Sequence, residues 1–170
     1  MRDDIMIRYA EAGDAAALGE IHALSWQAAY RGIIPDEVLD GITPQKWQAC
    51  FEKVLKEERK EDAVVFYAGQ PVGFICFGKS RDADADSTCG EVWGIYLRPD
   101  FWRRGVGMQL MCWGLEELKK RGCLQATLWV LEDNHSARSF YDKMGFAFDG
   151  TVKPINIGKA LGECRYRILL

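Results

Sequence analysis

The sequence predicts an α/β fold of the mixed α+β kind: a central twisted mixed sheet of about six to seven strands flanked by helices, in one domain spanning residues 1–170. Three observations lead there. Strand-type and helix-type runs follow the order β, α, α, β, β, β, α, β, α, β, β, which suits one sheet covered by helices. A helix opened by glycines stands between two strand-type runs, making those strands parallel neighbours through a crossover. No repeat, low-complexity stretch or linker divides the chain, and 48% of its residues are hydrophobic, enough for a substantial core.

"IMIR", from Ile5, reads as the first strand. Asp14 is a good N-cap for a helix through Leu18, Ile21, Leu24 and Ala28. Gly32, Pro35, Gly41 and Pro44 then break the chain into a loop, a short helical turn and a new helix, capped by Thr43 with Pro44 at its first position. "AVVFYAGQPVGFICFGK" is a hairpin with its turn at Gly69-Gln70 and a second strand from Val72 to about Gly78. A polar loop leads to "EVWGIYLRP", a strand stopped by Pro99. The next helix carries Val106, Leu110, Met111, Leu115 and Leu118 on one face, and basic residues stand before Gly122 at its end. "LQATLWVL" is a buried strand, and Asn134 caps a helix that shows Ala137, Phe140, Tyr141 and Met144 on one side before Gly145. Strands near Ala147–Val152 and Gly162–Leu169 close the chain.

Composition excludes several classes. The 22 basic and 25 acidic residues are scattered, giving a net charge of -3 with no footprint for nucleic acid or an anionic membrane. The N-terminal "MRDDIMIRYAEAGD" reads as the start of a folded domain rather than a signal peptide, and no transmembrane run is present. Six cysteines without a C-x-x-C pair, mostly inside apolar runs, read as buried reduced thiols of a cytoplasmic protein. No metal-ligand spacing, nucleophile elbow, P-loop or dinucleotide fingerprint occurs.

The stretch "RRGVG" carries the first chemistry. Gly105 and Gly107 leave the N–H groups at a helix start unshielded, and Arg103 and Arg104 add positive charge. A helix N-terminus with about half a positive charge is a phosphate site, although glycines here also serve a tight turn.

"EVWGIYLRPDFWRRGVG" followed by "LWVLEDNHSARSFYDKMGFAFDG" resembles the two central motifs of the GNAT acetyltransferases, in order and separation. The likeness extends from "IRYAEAGDAAAL" to "GECRYRILL". It implies a GNAT-like fold and acetyl-CoA as cosubstrate, with the pyrophosphate on Arg103, Arg104, Gly105, Val106, Gly107 and Met108. The pantetheine arm would pair with backbone near Tyr96 and Leu97, and Asn134 would contact the arm as well as cap its helix. Trp102 stands where the family pattern has Gln or Arg, which bears on one side-chain contact but not on the backbone cradle.

The resemblance also implies acetyl transfer to an amine of a small molecule or peptide by direct attack in a ternary complex. An ammonium of pKa about 10.4 must lose a proton first, roughly 4–5 kcal/mol at pH 7, so a base is wanted. Glu91 matches an acidic position where some members keep it, with an edge glutamate as the plain reading. Tyr141 matches the tyrosine that protonates the leaving thiolate, while its spacing also fits a core aromatic. Trp26 and Tyr30 fall where the family walls the acceptor site, or form a core stripe. Acidic residues Asp36, Glu37, Asp40, Asp82, Asp84 and Asp86 would steer a cationic acceptor or simply be solvated. His22 and His135 read as packing or surface residues. A non-catalytic acyl-CoA-binding module and an O-acetyl or longer-acyl transferase are the alternatives; a homodimer is compatible with the apolar termini.

Overall fold

The computed structural model describes residues 4–170, so the reading of the first three residues lies outside the described part. Seven strands form one sheet: β1 (Ile5–Tyr9), β2 (Asp62–Tyr67), β3 (Gln70–Lys79), β4 (Cys89–Leu97), β5 (Gln125–Leu131), β6 (Ala147–Asn156) and β7 (Ala160–Leu169). Their order across the sheet is β1-β2-β3-β4-β5-β7-β6. All neighbours are antiparallel except β4 and β5, which are parallel as the glycine-opened helix between them requires. The helices are α1 (Ala15–Ala29), α2 (Asp36–Asp40), α3 (Pro44–Leu55), α4 (Val106–Lys120) and α5 (His135–Lys143).

Strand alternation divides the apolar residues between two faces. Val64 and Phe74 bury against Leu18 and Ile21 of α1 and Phe51 and Leu55 of α3. Ala63, Val65, Ile75, Phe77, Val92 and Leu128 point the other way, onto Val106, Leu110, Met111 and Leu118 of α4. Helix α5 joins that second face through Ala137, Phe140, Tyr141 and Met144. Ile34, Leu39 and Leu131 make a smaller cluster under the end of α1.

Several elements differ from their sequence reading for identifiable reasons. Asp14 precedes α1 but its carboxylate does not cap it; the oxygens accept from Arg8 at 2.7 and 3.0 Å and from the Glu11 N–H, closing a short 3-10 turn first. The hairpin turn is Ala68-Gly69, both at positive φ, one residue earlier than Gly69-Gln70. Strands β6 and β7 run longer than expected because β6 is an edge strand, where Pro154 interrupts no ladder on its open side. Cys50 and Cys112 are exposed rather than buried, while all six thiols are free. Thr43 caps α3 through the Lys46 N–H, and Asn134 caps α5 through the Ala137 N–H, as read.

The parallel pairing of β4 and β5 is short. It runs from Cys89↔Gln125 to Val92↔Leu128, although β4 continues to Leu97 and β5 to Leu131. On the other side of β4 the register with β3 shifts between Cys76 and Phe77, opposite the point where the strands part. Such an irregularity bends a strand, so β4 diverges from β5 and leaves a wedge-shaped gap in the middle of the sheet.

Gly19 lets α1 lie directly on α3: a Cβ there would stand 2.6 Å from the Pro44 carbonyl oxygen and 2.7 Å from the Gln48 nitrogen, both main-chain atoms. Gly19→Val is expected to force the helices apart at a cost of about 3 kcal/mol. Thermal unfolding should show Tm lowered by roughly 6–12 °C, and an unchanged Tm would refute this close packing.

Candidate active site

The gap between β4 and β5 exposes main-chain hydrogen-bonding groups. The Arg98 N–H donates to the Val72 carbonyl of β3 at 2.8 Å. By antiparallel alternation Tyr96 also turns its main chain to β3, opposite Phe74, whereas Ile95 and Leu97 turn theirs toward the gap. The expectation that Tyr96 offers backbone groups there is therefore corrected to Ile95 and Leu97. One of these groups is engaged: the Trp102 indole N–H donates to the Leu97 carbonyl at 3.1 Å.

One lip of the gap is the start of α4. Arg103 (φ 60°) and Gly105 (φ 80°) adopt left-handed backbone that swings the chain into the helix, and Gly105 does so without steric penalty. Gly105 supplies no side-chain cap. Among the described residues no acceptor engages the N–H groups of Val106, Gly107 and Met108. Val106 and Gly107 are buried, pressing the helix start against the sheet. Arg103 and Arg104 form no ion pair among the described residues, and Arg104 lies over the Phe101 ring at 5.2 Å. Free N–H groups, the helix dipole and two guanidinium groups outside any ion pair give this helix start a positive potential that suits an anion. At the facing end of β5, the Asn134 Oδ1 accepts the Ala137 N–H at 3.2 Å, which leaves its amide NH2 free for another acceptor.

Tyr141, Tyr30 and Tyr96 stand on three different elements: α5, the end of α1 and β4. Tyr141 packs against Phe140, Phe146 and Tyr166 on the α4–α5 face. Its hydroxyl has no hydrogen-bond partner among the described residues, and burial, then repulsion from a Tyr30 phenolate, holds its pKa far above the usual tyrosine value. Tyr30, at the end of α1 on the opposite face, is pushed up to about 12 by burial and the nearby Glu163 carboxylate. Burial also raises Tyr96, with Tyr30 and Tyr141 contributing.

Trp26 meets Tyr30 edge-on at 4.8 Å, and both pack into the small cluster with Leu39 and Leu131. His22 is buried between Trp47 at 3.7 Å and Trp26 at 5.2 Å. Burial lowers its pKa to about 3, so it stays neutral inside an aromatic stack. His135 is exposed on the first turn of α5.

On the α1–α3 face the gap adjoins a cavity of about 380 Å³ lined by Arg81, Asp82, Glu91, Trp93, Trp129, Lys153, Ile155 and Glu163. Glu91 is 1% exposed and fully engaged: it accepts from the Arg81 N–H at 2.8 Å and from Arg81 Nη2 at 2.7 Å and Nε at 3.3 Å. Asp82 accepts from the Trp129 indole at 2.9 Å and from Arg165 at 3.2 Å, and Asp84 binds Arg165 through both oxygens. Asp36 and Asp40 share Arg31, and Asp86 accepts from Thr88. These acidic loops are thus largely tied into internal contacts rather than presenting free charge. Glu163, which carried no sequence signal beyond its place in a strand, is the cavity carboxylate without a hydrogen-bond donor among the described residues. The same residues contain no cluster of three or more His, Cys, Asp or Glu side chains disposed to hold a metal.

Arg103 to Met108 lie at the start of α4, Leu97 at the end of β4 and Asn134 at the start of α5; Tyr141 packs on the α4–α5 face, Trp26 and Tyr30 in the small cluster, and Glu91 lines the cavity.

The chain is similar to several known proteins. A probable N-acetyltransferase of Mycobacterium tuberculosis is 28% identical over 97% of this chain and 94% of its own. A spermidine N(1)-acetyltransferase of Thermoplasma acidophilum is 25% identical over 86% of this chain and 91% of its own. The crystal structure of the PaiA N-acetyltransferase from Thermoplasma acidophilum in complex with coenzyme A superposes with a TM-score of 0.80 at 22% identity, covering 98% of this chain and 99% of that one. Residues 21–146 match the model of the acetyltransferase (GNAT) family. With the parted strands, the glycine-opened helix and the capped α5 all inside that match, the chain belongs to the GNAT family of acetyltransferases.

Proposed function

We propose that this acetyl-CoA-dependent N-acetyltransferase passes the acetyl group to a small primary amine by direct attack in a ternary complex, with Tyr141 as proton donor to the leaving sulfur. The observation that carries the reading is the parted β4 edge beside an uncapped, arginine-flanked helix start, with a carboxylate-and-indole cavity on the other face. A relative that acetylates spermidine supports a small amine as acceptor. The six free cysteines support a reducing cytoplasmic setting.

Acetyl-CoA supplies the thioester. The N–H groups of Val106 to Met108, with Arg103 and Arg104, hold its phosphates; Ile95 and Leu97 offer main-chain groups to its arm, and Asn134 offers its amide. Tyr141 is protonated at every pH near neutrality because burial penalises its anion. Burial makes a bare thiolate in the gap more basic but also makes Tyr141 a weaker acid, so its proton moves to sulfur only as the carbon–sulfur bond breaks and is replaced by one that the amine gives up.

Tyr141→Phe is expected to lower kcat by about 10²-fold or more while leaving the acetyl-CoA Kd nearly unchanged, measured by thiol release and calorimetry. An unaltered kcat removes Tyr141 from the reaction. The double variant Arg103→Ala/Arg104→Ala should raise the acetyl-CoA Kd about 5–30-fold, from roughly 1–2 kcal/mol of exposed charge contacts, with a smaller effect at high salt. Tight acetyl-CoA binding with no thiol release against polyamines, amino acids, aminoglycosides or peptide N-termini would speak for a binding module instead.

A further inference from the structure

Glu91 is poorly placed to act as a base: a guanidinium and a main-chain N–H occupy its oxygens, and it is 1% exposed. Glu163 of β7 differs on each count. It is half-buried, lines the cavity beside the gap, and receives no hydrogen bond among the described residues. The one ion pair it makes among the described residues is with the Lys153 ammonium, 3.8 Å away. That ammonium also stands 3.8 Å from the centre of the Trp129 ring. A carboxylate and an indole face thus already hold an ammonium in the cavity. Lys153 sits on the open edge strand with 46% of its side chain exposed, free to swing outward and yield its place.

We propose that Glu163 is the general base, accepting a proton from an acceptor amine that enters as an ammonium over Trp129 in place of Lys153. The inference rests on the acetyl-transfer reading. The amine nitrogen bonds to the acetyl carbon, and the carbon–sulfur bond breaks with its electron pair going to sulfur. The ammonium gives up two protons in all, one reaching sulfur by way of Tyr141, the other taken by Glu163 and released to water.

Three charged groups act on Glu163: Lys153 from β6 and Arg81 from the loop before β4, which favour its charged form, and Glu91 of β4, whose negative charge disfavours it; the Tyr30 hydroxyl just past α1 is nearby and uncharged. Burial is the largest influence and raises its pKa above 4.5. The acidic limb of the kcat/KM profile then belongs to this carboxylate. Removing the Lys153 charge raises the pKa further and moves that limb to higher pH.

The test is amine-dependent thiol release by the full chain, with spermidine as probe, across pH. Glu163→Gln is expected to lose the acidic limb and about 10²-fold or more in kcat, with acetyl-CoA affinity within twofold of the parent, and Glu163→Asp to restore the limb. Lys153→Gln is expected to shift the limb upward. A Glu163→Gln enzyme with parental kcat and limb overturns the proposal. Should that variant fail to fold, an unmoved limb in Lys153→Gln overturns it equally. Parental enzyme that binds acetyl-CoA yet releases no thiol with any amine contradicts the acetyl-transfer reading itself, a failure separate from that of Glu163.

Discussion

The parting of β4 from β5 after Val92 and Leu128 is the constraint on which the rest of the structure depends. A sheet is normally a barrier between its two faces, since every interior main-chain group is paired with a neighbour. Here the β3–β4 irregularity diverts β4, and Ile95 and Leu97 turn main-chain groups into the gap without a strand partner, the Leu97 carbonyl meeting only the Trp102 indole, an edge that suits an extended ligand. The β4–α4–β5 crossover supplies the rest: a helix whose N-terminus must end beside the gap, because α4 starts where β4 stops.

Burial sets the electrostatics of this opening more than pairwise charge does. Tyr30, Tyr96 and Tyr141 are all held in their neutral, proton-bearing state, and His22 is kept neutral from the other direction. A site for an uncharged nucleophile and an uncharged thioester gains from such a setting, which disfavours ions everywhere except where a partner is provided. Partners are provided at two places only around the gap: the helix start with its arginines for phosphate, and the cavity where Lys153 and Glu163 face each other. Most other acidic groups nearby are neutralised by arginines, notably Arg165, which is 6% exposed and binds Asp82, Asp84 and Asp149 together.

The parts of this design that depend on local chemistry were legible in the sequence. Gly105 before an amphipathic run marks a helix start because it reaches φ 80° without a clash, and Thr43 and Asn134 mark caps because their side-chain oxygens satisfy free N–H groups. Runs of β-branched and aromatic residues bounded by turn residues placed the strands, though β6 and β7 extend beyond the ends read from them. Features that depend on long-range register were not legible: Tyr96 and Leu97 differ in which way their main chain points only through pairing with β3. Glu91 and Glu163 are both strand glutamates, and what separates them is an arginine ten residues away in sequence from the first and a lysine across a ladder from the second. Asp14 likewise follows the rule for a cap, yet Arg8 draws its carboxylate elsewhere.

The central claim is that amine and thioester meet directly in the gap, without passing the acetyl group through the protein. Initial-velocity kinetics varying acetyl-CoA at several fixed amine concentrations test it most directly. Double-reciprocal plots that intersect are predicted, since both molecules must occupy the opening before any bond changes. Parallel lines would show that an acetyl group rests on the enzyme between two half-reactions, and would contradict the account.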